Sequence, residues 1–234
     1  MAVPQTSYKI ICIKKMSESH ATFIRIEPAN LEVTLGEIYT GLANLNWVNA
    51  LPNVPNIIRK SYESRAKNTL PKLYKLLVSG ASSAIVSDAK QYVVSELARG
   101  TVVNDMGYLD IPLAELLRIQ KSGNPGFDFY SENKNKNILF GEAKYIARQS
   151  AYNSALGQIE DFIKDGKEVM DVADLLLFCS TDALDNMGNG EIGLIAAFSA
   201  TSISDEDLET NIENNAHFKN LLKYNELICV AVNI

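Results

Sequence analysis

The sequence predicts an α/β domain in which a mixed central β-sheet is flanked by helices. Apolar runs of strand length alternate along the chain with longer segments in which apolar residues recur every three or four positions. Hydrophobic residues make up 47% and charged residues 21% of the chain, which is typical of a globular protein rather than a disordered or fibrous one. With 234 residues, the chain can bury one sizeable core, with or without an appended lobe.

The N-terminal part predicts a hairpin followed by irregular structure. β-type residues at 8–14 and 21–26 flank a polar turn, which is the pattern of two antiparallel strands. Between Leu35 and Pro55, asparagines and prolines interrupt any regular spacing. We therefore predict loop-rich structure there.

Residues 57–79 form the most basic stretch of an acidic chain. Mixed helical spacing there carries the basic side chains Arg59, Lys60, Arg65, Lys67, Lys72 and Lys75. A run of this kind is either a phosphate-facing surface or the solvated face of an amphipathic helix, and both interpretations stay open. With the hairpin it forms a predicted N-terminal segment, residues 1–80, that packs on a core of residues 81–234.

The rest of the chain predicts alternating helices and strands. Residues 82–98 have the apolar spacing of a helix, and Glu96 falls on its apolar stripe, where a carboxylate is costly unless it is paired or bound to a cation. After this helix the sequence predicts a short helix at 112–120, a hairpin with strands at 127–130 and 138–145, a helix at 149–164, strands at 175–179 and 192–200 with a turn at 182–190 between them, a helix at 205–223 and a strand at 227–232.

Several classes of protein are disfavoured by what the chain lacks. It has neither an apolar run long enough to cross a bilayer nor a signal-peptide pattern, so we expect a cytoplasmic protein without a membrane partner. The irregular spacing of Cys12, Cys179 and Cys229 favours buried thiols over disulfides or a zinc site. His20 and His217 lie in polar contexts that predict solvated surface histidines, which argues against a zinc hydrolase or a Ser-His-Asp triad.

The informative residues lie on the predicted hairpin in the middle of the chain. Because side chains alternate along a strand, Glu142 and Lys144 project to one face while Gly141 and Ala143 project to the other. If the two strands pair across their turn, Asp128 comes beside Glu142. The sequence thus predicts two carboxylates and one lysine at a single point.

Two neighbouring carboxylates repel each other unless a cation lies between them. Oxygen ligands favour Mg²⁺, which binds one or two carboxylates and keeps several waters for a phosphate group. Asp128 and Glu142 are therefore candidate metal ligands for phosphodiester hydrolysis, and Lys144 would stabilise charge in the transition state. The net charge of −6 has the wrong sign for an independent nucleic-acid binder, so affinity would have to come from a local basic patch, metal ions or a partner.

Asp128 and the Glu142-Ala143-Lys144 triplet on adjacent strands resemble the PD-(D/E)xK nucleases, although Phe127 stands where these enzymes usually have proline. The resemblance implies a restriction-endonuclease-like core and a nuclease dependent on Mg²⁺ or Mn²⁺. It further implies that Glu96 is a third metal ligand and that Gln158, on the helix that follows, is a catalytic glutamine beside the lysine.

More narrowly, residues 90–180 resemble HamA, the nuclease subunit of the Hachiman anti-phage defence system. That likeness implies a DNA endonuclease regulated by a helicase partner (HamB-like), which would hold the DNA for an acidic chain. Three alternatives stay open: a stand-alone restriction or repair nuclease, a degenerate nuclease fold that acts as a binding or adaptor subunit, and an unrelated α/β scaffold in which these residues form salt bridges. Glu96, for its part, could be satisfied by Arg99 instead of a metal ion.

Overall fold

A computed structural model describes residues 8–52, 54–78, 83–117, 126–147, 149–200 and 203–234. They contain a six-stranded sheet with the strand order β1-β2-β6-β5-β4-β3. Its strands are β1 (Tyr8–Lys15), β2 (Ala21–Pro28), β3 (Phe129–Glu132), β4 (Ile138–Lys144), β5 (Ile192–Ala200) and β6 (Glu226–Asn233). The predicted α/β class is confirmed.

Helices cover both faces of this sheet. They are α1 (Leu31–Ala43), α2 (Asn46–Ala50), α3 (Asn56–Leu77), α4 (Ser83–Asn104), α5 (Ala114–Leu117), α6 (Tyr152–Lys164), α7 (Lys167–Leu175), α8 (Thr181–Gly188), α9 (Asp205–Glu213) and α10 (Ala216–Leu221). An asparagine or serine N-cap begins α1, α8, α9 and α10, where its side chain accepts the backbone N–H three residues on. No helix among the described residues is long and apolar enough to cross a bilayer.

The sheet is mixed, as predicted. The four inner strands β2, β6, β5 and β4 are parallel to one another, while β1 and β3 pair antiparallel with them at the two edges. Every residue of β5 is buried, which is typical of a central parallel strand covered on both faces. β1 and β2 belong to the predicted N-terminal segment and extend the same sheet, and the predicted boundary at residue 80 lies outside the described residues.

Two apolar layers lie on opposite faces of the sheet. Phe140 of β4 packs in the layer that α6 covers, and its neighbour Leu139 packs in the layer that α4 covers. Full burial of one such side chain contributes roughly 1.5–3 kcal/mol. Since side chains alternate along a strand, Glu142 and Lys144 belong to the α6 face and Ala143 to the α4 face.

Part of the secondary-structure prediction is wrong. Residues 35–55, predicted as loops, contain most of α1 and all of α2, because Thr34, Ile38 and Leu42 recur every four residues and are buried. The predicted strand at 175–179 is the end of α7 and a turn, in which the Phe178 and Cys179 N–H groups donate to the Leu175 carbonyl. A short apolar run fits a helix end as well as a strand.

Two further predictions need correction in the last third of the chain. The predicted turn at 182–190 is largely helix α8, which the Ser180 hydroxyl caps. The predicted helix at 205–223 is two helices, α9 and α10, because Asn215 caps the second through the Phe218 N–H. Local capping bonds therefore set boundaries that apolar spacing alone does not reveal.

The cysteines and histidines differ in how well the sequence anticipated them. All three cysteines are free, and burial raises the pKa of the Cys229 thiol to about 12. Cys12 and Cys179 are half-buried. The expectation of solvated histidines is wrong in part: His20 Nε2 lies 2.8 Å from the Leu222 carbonyl, and His217 Nδ1 lies 2.7 Å from a carboxylate oxygen of Glu160.

Candidate active site

The β3–β4 hairpin brings Asp128 beside Glu142. The pairing of β3 with β4 ends where Phe129 lies opposite Gly141, and Asp128 directly precedes β3. The Asp128 N–H donates to the Gly141 carbonyl at 2.9 Å. In return, the Ala143 N–H donates to Asp128 Oδ2 at 2.9 Å. The carboxylate therefore takes the place of a strand carbonyl at the end of the pairing.

Gly141 allows the two strands to lie this close. A Cβ atom on Gly141 would lie 2.4 Å from ring atoms of Phe129, which is far below a normal contact. The ring of Phe129 thus covers the position that a side chain would fill. Close packing of this kind holds Phe129, and Asp128 directly before it, against β4.

Glu142 and Lys144 form an ion pair on one face of β4, as the alternation predicts. Lys144 Nζ lies 2.9 Å from Glu142 Oε1. The Glu142 side chain is only 2% exposed, whereas the Lys144 side chain is 21% exposed. The acid is therefore buried and the lysine reaches the rim, where it can contact a molecule that arrives from solvent.

Gln158 lies on α6, which packs against β4 and β5. Its side chain is half-buried, next to the buried residues Leu156 and Ile159 of the same helix. The structure places it on a helix that covers the Glu142 face of the sheet. Its role beside Lys144 stays a prediction.

Glu96 of α4 is buried and paired with Arg99. The Arg99 Nε and Nη2 atoms donate to the two Glu96 carboxylate oxygens, each at 2.8 Å. Arg99 also binds the Asp110 carboxylate and donates to the Ile111 carbonyl. Burial opposes the charge of the guanidinium, but Glu96 and Asp110 outweigh it, so the pKa of Arg99 is raised.

The structure thus unites part of the predicted site. No three histidine, cysteine, aspartate or glutamate side chains among the described residues form a group that could hold a metal ion. Asp128, Glu142 and Glu96 are all described, so these three carboxylates do not form one such group. Glu142 pairs with Lys144, and Asp128 accepts the N–H of Ala143 between them, while a shared metal site stays a prediction.

A cavity of about 320 Å³ reaches Asp128 from the α4 side. It is lined by Lys72, Leu76, Asp88, Gln91, Tyr92, Ser95, Leu113, Glu115 and Asp128. Ser95 is buried, and its Oγ has no hydrogen-bond partner among the described residues. The sequence analysis did not predict this cavity. The one lining residue that it had singled out nearby was Lys72, as part of the basic stretch.

The chain matches no model of a known protein family, and no curated protein matches it. The side chains of the β3–β4 hairpin and their surroundings provide the chemical groups on which a function can be based. These offer two carboxylates on neighbouring strands, a lysine at the rim and a polar cavity beside one of the carboxylates.

Proposed function

We propose that this chain is a metal-dependent nuclease that hydrolyses DNA phosphodiester bonds, with Asp128, Glu142 and Lys144 in its active site. One observation carries the proposal: Asp128 Oδ2 accepts the N–H of Ala143, the residue between Glu142 and Lys144, at 2.9 Å, and Lys144 Nζ lies 2.9 Å from Glu142 Oε1. This is the arrangement for which the sequence resembles the PD-(D/E)xK nucleases. The order of α4, the β3–β4 hairpin, α6 and β5 supports a restriction-endonuclease-like core.

The donor set suits Mg²⁺ or Mn²⁺. Asp128 and Glu142 supply hard carboxylate oxygens, and Mg²⁺ commonly binds one or two carboxylates and keeps several waters. Glu96 would have to exchange an Arg99 hydrogen bond for the ion, so Asp128 and Glu142 are the better-placed ligands. A bound ion would polarise the scissile phosphate and lower the pKa of its water.

The protein's own contribution centres on Lys144. Its ion pair with buried Glu142 orients the ammonium group at the rim. There the ammonium group can donate to a phosphate oxygen as negative charge develops on it, and such a preorganised donor contributes about 10²–10³ in rate.

The proposal includes a partner and a cellular setting. The chain carries a net charge of −6, which favours a nuclease that acts beside a DNA-holding helicase. We place it in the cytoplasm, in an anti-phage defence complex of the Hachiman kind. The helicase subunit would then release or direct cleavage when it meets foreign DNA.

Cleavage assays with matched lysine variants test the proposal. Plasmid and linear DNA are incubated with the protein, alone and with the helicase encoded by a neighbouring gene, in Mg²⁺ or EDTA. Lys144→Met should lose cleavage, whereas Lys136→Met should retain it, because Lys136 pairs with Glu132 at the other end of the same hairpin. Wild-type protein that cleaves neither substrate in either setting, or equal cleavage by both variants, would overturn the proposal.

A structural scaffold is the second candidate, and the ion pairs of the two buried glutamates favour it. Glu96–Arg99 and Glu142–Lys144 are contacts that salt bridges in a plain α/β fold would also make. In that case Glu142→Ala combined with Lys144→Ala should impair folding, whereas in a nuclease it should abolish cleavage and leave the fold intact. Thermal unfolding of the double variant, measured beside its cleavage, separates the two.

A further inference from the structure

The outer face of α3 carries a row of lysines. This helix contains six basic residues and one acidic residue, Glu63, in a chain whose overall charge is −6. Its buried side consists of Tyr62, Ala66, Thr69, Leu73 and Leu77. The arginines and the lysines of this helix differ in where their side chains point.

The two arginines of α3 are used within the fold. Arg59 Nη1 donates to the Val48 and Asn49 carbonyls at 2.8 and 2.7 Å, at the end of α2. Arg65 donates to the Leu117 carbonyl at 3.0 Å and lies over the Tyr62 ring. Both arginines therefore position neighbouring segments and are not available to a ligand.

The four lysines face outward instead. Lys60, Lys67, Lys72 and Lys75 are exposed, with 63% of the Lys67 side chain and 60% of the Lys72 side chain accessible. At about 3.6 residues per turn they fall on one side of α3, opposite its buried residues. With a rise of about 1.5 Å per residue, Lys60 and Lys75 lie about 22 Å apart along the helix, the length of about six or seven base pairs of duplex DNA.

Their ion pairs leave these lysines able to change partners. Lys67 lies 2.6 Å from Glu63, and Lys72 lies 3.6 Å from Glu115. Exposed pairs of this kind contribute little to stability, so a phosphate group can compete with the carboxylate. The lysine row can therefore exchange its carboxylate contacts for phosphate contacts at small cost.

The row is continuous with the candidate active site. Lys72 lines the same cavity as Asp128, and buried Ser95, whose Oγ has no hydrogen-bond partner among the described residues, lines it too. A buried hydroxyl without a partner is destabilising, and a bound polar group would relieve this. Lys72 of the lysine row thus lines the same cavity as the carboxylate that the proposed chemistry requires.

We propose that Lys60, Lys67, Lys72 and Lys75 bind the phosphate backbone of the nucleic-acid substrate and lead it to the cavity beside Asp128. This deepens the proposed function and rests on it. It assigns nucleic-acid contact to the chain itself, in addition to any contact made by a helicase. It also divides the basic stretch of the sequence into arginines that hold the fold and lysines that face the substrate.

A salt series on two matched triple variants tests the proposal. One variant carries Lys60→Gln, Lys67→Gln and Lys75→Gln, and leaves Lys72 in the cavity. The control carries Lys164→Gln, Lys219→Gln and Lys223→Gln, which change the net charge equally but lie on α6, on α10 and just after α10. Binding of a short fluorescent duplex, and of one of its strands, is measured by anisotropy in EDTA, where no cleavage can occur.

The α3 variant should bind duplex DNA about tenfold or more weakly, and the slope of log K against log salt should fall by about 0.9 for each lost phosphate contact. The control should bind as the wild type does. A loss for the single strand only would still support the row and would make single-stranded DNA the substrate. Equal binding by the two variants would overturn the lysine row.

Anionic lipid vesicles serve as a further probe. If the α3 substitutions weaken vesicle binding but leave nucleic-acid binding unchanged, the proposal is wrong and the row meets a membrane surface. Because binding is measured without metal, its result is independent of cleavage. If the wild type cleaves DNA and the α3 variant binds DNA as well as the wild type does, the lysine row is wrong and the nuclease proposal stands. If the α3 variant binds more weakly but the wild type cleaves no DNA, the nuclease proposal is wrong and the lysine row stands.

Discussion

Two buried glutamates near the hairpin, Glu96 and Glu142, are paired with basic residues in different ways. Both oxygens of Glu96 accept from Arg99, which is itself buried and also binds Asp110. Glu142 accepts through Oε1 from Lys144, whose side chain reaches the rim. The first pair is closed on all sides, and the second meets solvent through its cation.

The difference teaches how similar carboxylates acquire different roles. A planar guanidinium that bridges two acids is held in one geometry, which suits a structural link. A flexible ammonium at the surface can turn from its carboxylate to a ligand at lower cost. We therefore expect Glu96 and Arg99 to act on stability and Glu142 and Lys144 to act on chemistry.

The largest expected effect is on the closed pair. Arg99→Met should lower the free energy of unfolding by about 3–5 kcal/mol, because it leaves Glu96 buried without its cation. Lys144→Met should cost less, since water reaches that end of its pair. Denaturant unfolding of the two variants measures both, and equal losses would contradict the distinction between a closed and an open pair.

The next effect is on catalysis. Glu142→Gln should lower the cleavage rate by about 10²–10³, because it removes a metal ligand and the anion that orients Lys144. Glu96→Gln should lower it less, because both Glu96 oxygens already bind Arg99. Single-turnover cleavage of DNA in Mg²⁺ compares the two variants. An equal loss in both would make Glu96 a metal ligand, as the family resemblance implies.

A third buried glutamate extends the comparison to pH. Burial raises the pKa of the Glu132 carboxyl, but hydrogen bonds from Lys136 and Ser180 outweigh burial and leave the pKa below its usual value of 4.5. Its stabilising contribution is therefore complete above the unfolded pKa and is lost as the pH falls through the folded pKa.

Unfolding measured from about pH 6 down to pH 3 should accordingly show a shallower loss of stability in Glu132→Gln than in the wild type. Lys136→Gln removes the charged donor to Glu132 but keeps the hydrogen bonds from Ser180. Its loss of stability with falling pH should therefore lie between those of the wild type and Glu132→Gln. Identical pH profiles for all three proteins would show that Glu132 does not titrate with folding.

The smallest effect is expected at a surface pair. His217 lies 2.7 Å from Glu160 and is 38% exposed, so His217→Gln should change the free energy of unfolding by only about 0–1 kcal/mol at neutral pH. The same denaturant assay measures it. A loss of stability as large as that of Arg99→Met would show that burial does not determine how much these ion pairs contribute to the free energy of unfolding.

The hairpin was predictable because its signals are local. Strand alternation places Glu142 and Lys144 together, and a polar turn of suitable length brings Asp128 to the Ala143 N–H between them. The sequence predicted only part of the ion-pair network of Glu96. Arg99 lies three residues along the same helix and was a foreseeable partner, but Asp110 binds Arg99 from a separate segment. Whether Glu96 pairs with Arg99 or binds a metal ion therefore depends on contacts between segments that are distant in sequence.

The same limit explains the missed helix and the sorting of the basic stretch. Asn30 and the spacing of Thr34, Ile38 and Leu42 were present in the sequence, but the asparagines and prolines that follow obscured them. The sequence does not distinguish Arg59, which binds carbonyls of α2, from an exposed lysine of the same helix. That distinction depends on where α2 lies.

The Ala143 N–H bond to Asp128 bears on the choice of an inactive variant. Alanine at position 128 would delete an acceptor that ends the β3–β4 pairing, so the loss of activity would be mixed with fraying of the hairpin. Asparagine keeps an oxygen for that N–H and removes the negative charge. Asp128→Asn is therefore the cleaner inactive protein for studies of substrate and partner binding.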